Sequence, residues 1–105
     1  MPTLLVNVVR YVSDDPQPGI VECVFIDAYD QSHFFHEKTA IVSAENLLSS
    51  SNYPVESDFE CEIVEELTDH LGNSLLRICT ERPWGFISLA GETSFVVKSS
   101  QINGT

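Results

Sequence analysis

Positive charge is what this chain has least of: five Lys and Arg stand against sixteen Asp and Glu, a formal net charge of −11. Phosphate backbones and anionic lipid headgroups repel a field of that sign, so neither a nucleic-acid partner nor a membrane is expected. Cysteine is scarce as well. Cys23, Cys61 and Cys79 are odd in number, form no CxxC pair and sit among strand-forming neighbours. They read as buried thiols of a reducing, cytoplasmic compartment, not as metal ligands or a disulfide framework. No apolar run is long enough to span a bilayer, and Met1-Pro2-Thr3 does not lead from a basic segment into an apolar one, so no secretory signal is expected. A Gly-rich phosphate loop, a GxSxG elbow and any Ser-His-Asp or Cys-His spacing are also missing. These absences lean away from an enzyme and leave no catalytic residue, metal or cofactor to name.

What is present is enough to bury a core. The 105 residues are 43% hydrophobic and 10% aromatic, which suits one domain over residues 1–105 and argues against disorder. Residues 3–12, 20–29 and 33–41 are rich in β-branched and aromatic side chains and read as strands. Two prolines and Gly19 mark a turn over 13–19, and residues 30–32 a short polar one. Residues 43–48 are the one helical candidate, with Ser43 as its cap and Glu45 and Asn46 in its first turn. A further strand runs over 58–67. Phe59, Cys61 and Ile63 point one way and Asp58, Glu60 and Glu62 the other, until the alternation slips at Val64 and predicts a bulge or the strand's end. Strands over 74–80 and 93–98 follow a turn at Leu71-Gly72-Asn73, with a short apolar piece at 86–89 between them. Six or seven short strands and one short helix predict an all-β, mainly antiparallel barrel or sandwich. A barrel is preferred, because closure removes the sheet's edges.

Three clusters carry candidate chemistry. In His33-Phe34-Phe35-His36-Glu37-Lys38 the histidines are three apart, so on a strand they face opposite sides and cannot share a metal. His70, beside Asp69, reads as a loop residue. The second cluster is acidic: half of residues 56–69 are carboxylates, and Asp58, Glu60 and Glu62 form a row about 7 Å apart on one strand face. Such a row is either a solvated face or a docking strip for a basic protein surface; calcium comes third, since the run lacks the Gly-centred loop of a tight calcium site. The third is Thr80-Glu81-Arg82-Pro83-Trp84-Gly85, a rigid turn around the only Trp. It is either a structural corner or an anchor, with Glu81 fixing Arg82 beside Trp84.

The order of several segments also carries a resemblance: the Val21-Glu22-Cys23 strand, Phe35-His36-Glu37-Lys38, Val42-Ser43-Ala44-Glu45, Ser51-Asn52-Tyr53-Pro54, Thr80 to Gly85 and Gly91-Glu92-Thr93. Over about residues 20–98 the chain resembles a group of small, uncharacterised acidic bacterial proteins. The resemblance implies a bacterial cytoplasmic protein and brings no activity with it. Two functions are therefore expected in competition. One is a non-enzymatic acidic interaction module, immunity- or inhibitor-like, binding a basic protein partner through Asp58, Glu60, Glu62, Arg82 and Trp84. The other is a small-molecule-binding or catalytic β-barrel with Trp84, Arg82, Glu81 and His36 at its mouth. A homodimer is compatible with either.

Overall fold

The structure, a computed structural model, describes residues 1–15, 19–42, 47–48 and 50–104. Eight strands are present among them: β1 Thr3–Ser13, β2 Ile20–Ile26, β3 Ser32–Lys38, β4 Val55–Glu60, β5 Glu62–Thr68, β6 Ser74–Cys79, β7 Ser94–Lys98 and the two-residue β8 Ile102–Asn103. They form two antiparallel sheets. The first has the order β3-β2-β1-β4, with β8 pairing the start of β1; the second has the order β5-β6-β7. The all-β, mainly antiparallel reading holds in its sandwich form. The preferred barrel does not, because the strands divide between two sheets and, among the described residues, no ladder closes them into a ring.

The division falls inside what reads as one strand. Alternation persists from Asp58 to Ile63 inside the strand expected over 58–67, yet the chain leaves the first sheet at Glu60 and enters the second at Glu62. Cys61 lies fully buried between them, its N–H given to Pro2 O at 3.0 Å. Period-two patterning records which side faces the core, and that side stays the same across the switch. The slip at Val64 is a register shift between Ile63 and Glu65, and the strand runs past it to Thr68.

The helical candidate at 43–48 lies mostly outside the described residues. A single helical turn, α1 Thr39–Val42, is described instead, occupying the end of what reads as the third strand. The second strand also stops early, at Ile26, because Asp27 redirects the chain. Its backbone pairs with Gln31 while its Oδ1 accepts the N–H groups of Tyr29 (2.8 Å) and Gln31 (3.0 Å). Asp69 closes the β5–β6 hairpin the same way, accepting from Leu71 and Asn73, and Ser88 closes a third such turn against Glu92. In all three the fourth residue has positive φ: Asp30 at 62°, Gly72 at 83° and Gly91 at 82°.

The core lies between the sheets. Leu4, Val6 and Val8 of β1, Val21 and Cys23 of β2 and Phe35 of β3 are almost fully buried against Ile78 and Val97. Phenylalanines join the two layers: Phe25 meets Phe95 edge-on at 5.1 Å, and Phe59 stacks on Phe86 at 3.9 Å. Outward, Phe34, Val24 and Asn7 share one row of the first sheet, and Arg10, Glu22 and His36 another.

Candidate functional site

The Trp84 turn is built from the core outward. Thr80, fully buried at the end of β6, gives its N–H to Thr93 O and its hydroxyl to Phe86 O at 2.6 Å; the Phe86 N–H returns to Thr80 O. This clasp pins both ends of residues 81–85, and Phe86, 2% exposed and stacked on Phe59, fixes it to the core. With the chain held at Thr80 and Phe86, Trp84 lies outside, 61% exposed.

Its indole is nevertheless positioned. Trp84 Nε1–H donates to Glu60 Oε2 at 2.8 Å, so the acidic strip and the aromatic turn, separate in sequence, share one surface. An open cleft of about 320 Å³ lies there, lined by Ala40, Ile41, Asp58, Glu60, Trp84 and Phe86. Asp58 and Glu60 come from β4, Ala40 and Ile41 from α1. Among the described residues, Trp84 is the one donor to Glu60, and Asp58 accepts from none. Arg82 lies beside Glu62, Nε to Oε1 at 3.6 Å with both side chains well exposed.

Of the residues singled out in the sequence, Asp58, Glu60 and Trp84 therefore converge, and Glu62 with Arg82 forms an ion pair. The Glu81–Arg82 contact is not made: Arg82 turns to Glu62, and Glu81 is exposed outside the cleft lining. His36 is not at this site. Its place on β3 faces it outward beside β2, where its Nε2 meets Glu22 Oε1 at 3.1 Å. The floor of the cleft, Ala40, Ile41 and Phe86, escaped sequence reasoning. Phe86 carried a signal, an apolar residue directly after a Trp-Gly turn; Ala40 and Ile41 had none, since they lie where a strand is expected.

The more perturbed ionisable groups lie elsewhere. Glu22 Oε1 and Oε2 accept from Arg10 at 3.1 and 3.0 Å, and the guanidinium, helped by His36, holds that carboxyl below its usual range. Burial alone would push the Asp27 carboxyl up, but the His33 ring at 2.7 Å and the N–H groups of Gln31 and Tyr29 outweigh it and hold it low. Burial raises Glu37 to about 7 and the Cys23 and Cys61 thiols to about 12 and about 11. Among the described residues no three His, Cys, Asp or Glu gather as a metal ion would need. Compared with models of known protein families, with curated proteins and with solved structures, the chain matches none.

Proposed function

We propose that the chain is a non-enzymatic interaction module that binds a basic protein partner by taking a Lys or Arg side chain into the Trp84 cleft. The observation that carries this reading is the hydrogen bond from the exposed Trp84 indole to Glu60, which seats an aromatic face beside two carboxylates over an apolar floor. An Arg or Lys suits that combination: its aliphatic stem covers Ile41, its cation meets the indole face, and Asp58 and Glu60 balance its charge. The surrounding net charge of −11 would draw such a partner in from a distance. An immunity- or inhibitor-like role in a bacterial cytoplasm suits the same chemistry, and so do the three free cysteines, two of them buried with raised pKa.

The test is calorimetric titration with an extended arginine-rich peptide at low and high salt. Trp84→Ala and Asp58→Asn are each expected to weaken binding about tenfold, and Glu92→Gln, away from the cleft, less than twofold. Equal losses in all three variants would mean diffuse attraction to an acidic surface and would sink the proposal. The cleft also gives the small-molecule reading its one foothold. Free arginine binding as tightly as the peptide would favour that reading, without the barrel.

A further inference from the structure

We infer that the Trp84 cleft selects arginine over lysine, because it asks one side chain to stack on the indole and reach two separate carboxylates at once. Resting on the proposed function, this selection names which of the two cations the partner presents.

The cleft receives no cation from its own chain. Arg10 is on Glu22, Arg77 on Glu65 and Arg82 on Glu62, while Lys38 and Lys98 end β3 and β7, and none of them lines the cleft. Asp58 and the second oxygen of Glu60 thus stand beside an exposed aromatic ring with no donor among the described residues. A cation entering from outside meets all three groups. Trp84 Nε1–H lies in the plane of the indole, so its acceptor, Glu60 Oε2 at 2.8 Å, sits at the ring's edge and not over its face. Asp58 precedes Glu60 by two residues on one face of β4, which puts their Cα atoms about 6.8 Å apart.

That layout separates the two cations by shape. A guanidinium is planar: it lies flat on an indole while its N–H groups point outward in its own plane, towards carboxylates at the ring's edge. With C–N bonds as short as a peptide's, about 1.33 Å, its nitrogens are about 2.3 Å apart. Adding N–H···O contacts of about 2.9 Å, it joins oxygens up to about 8 Å apart. An ammonium has one nitrogen, so it joins oxygens no more than about 6 Å apart and must draw two like charges together to do so. It also holds its water more strongly than a guanidinium does. Lysine therefore gains the ring or one carboxylate, whereas arginine gains the ring, Asp58 and Glu60 together.

Calorimetric titration tests it with three extended peptides of one sequence, carrying arginine, lysine or citrulline at every basic position. Arginine and lysine bring the same charge, so diffuse attraction to the acidic surface cancels between them. The arginine peptide is expected to bind about tenfold more tightly than the lysine peptide, and the neutral citrulline peptide more weakly than either. Asymmetric dimethylation of the arginines keeps the charge and blocks the fork, and is expected to bring the affinity down to that of lysine. These comparisons use the wild-type chain and do not depend on a variant folding. Asp58→Asn removes one of the two carboxylates and is expected to shrink the preference to about twofold, while Glu92→Gln leaves it at about tenfold. Equal binding of the arginine and lysine peptides overturns the selection and leaves the proposed function standing. A preference that survives Asp58→Asn also overturns it, by placing its origin outside the cleft. Binding of neither peptide overturns the selection and the proposed function together.

Discussion

At Thr80 a single hydroxyl holds a turn, and its removal measures how firmly. Thr80→Val keeps the shape and leaves Phe86 O without that donor, which is expected to cost about 1–3 kcal/mol. Phe86→Ala removes the stacked ring itself and is expected to cost about 3–5 kcal/mol, a large share of what a domain of this size has. Denaturant unfolding followed by circular dichroism reads both. Glu37 makes a prediction with pH. Burial raises its folded pKa to about 7, above the unfolded value, so its charged form opposes folding above pH 7 and the opposition fades as pH falls towards 4.5. Glu37→Gln is therefore expected to stabilise the protein at pH 8 by about 1 kcal/mol, water screening part of the effect, and to change nothing at pH 4. A constant difference across that range would refute the assignment.

Among the elements, three turns share one plan, and the odd member is open to correction. Asp30 occupies the left-handed position that Gly72 and Gly91 fill in the other two. Asp30→Gly is expected to raise stability by about 0.5–1 kcal/mol, read as an upward shift of the denaturation midpoint. Asp27 works the other way. Its lowered pKa means that the stability it supplies is present above the unfolded carboxylate range and is lost as pH falls through the folded value. Asp27→Ala should cost about 3 kcal/mol at neutral pH and speed hydrogen exchange at Tyr29 and Gln31 first. These turns also show how much was legible. The strands announce themselves through side chains that alternate, as at Leu4, Val6 and Val8. The turn at Asp27 hides among apolar neighbours, because its signal is a hydrogen bond to residues two and four ahead. The break at Cys61 hides because both sheets bury the same side of the ribbon. The candidate site was half legible: Trp84 and the acidic row stand out singly, but their meeting depends on a clasp between Thr80 and Phe86 that no spacing rule contains.

For the whole molecule, charge acts against the packing that holds the sheets together. Eleven uncompensated negative charges on 105 residues repel one another in the folded state more than in the expanded chain. Raising NaCl from about 0.05 to about 0.5 M shortens the range of that repulsion to a few ångströms and is expected to lift Tm by roughly 5 °C in dilute protein. A Tm that falls with salt would mean that pairs such as Arg10–Glu22 and Arg77–Glu65 outweigh the repulsion. The acidic cleft faces partners of opposite charge.

The position of Trp84 also decides what light reports about this protein. Its indole is the chain's only one and is 61% exposed, while Phe25, Phe35, Phe59, Phe86 and Phe95 are in the core. Native emission should already lie near that of indole in water and be open to acrylamide quenching, and unfolding should shift it little. Tryptophan fluorescence, the usual monitor of a folding core, is here a monitor of the surface: blind to the interior and responsive to whatever covers the cleft.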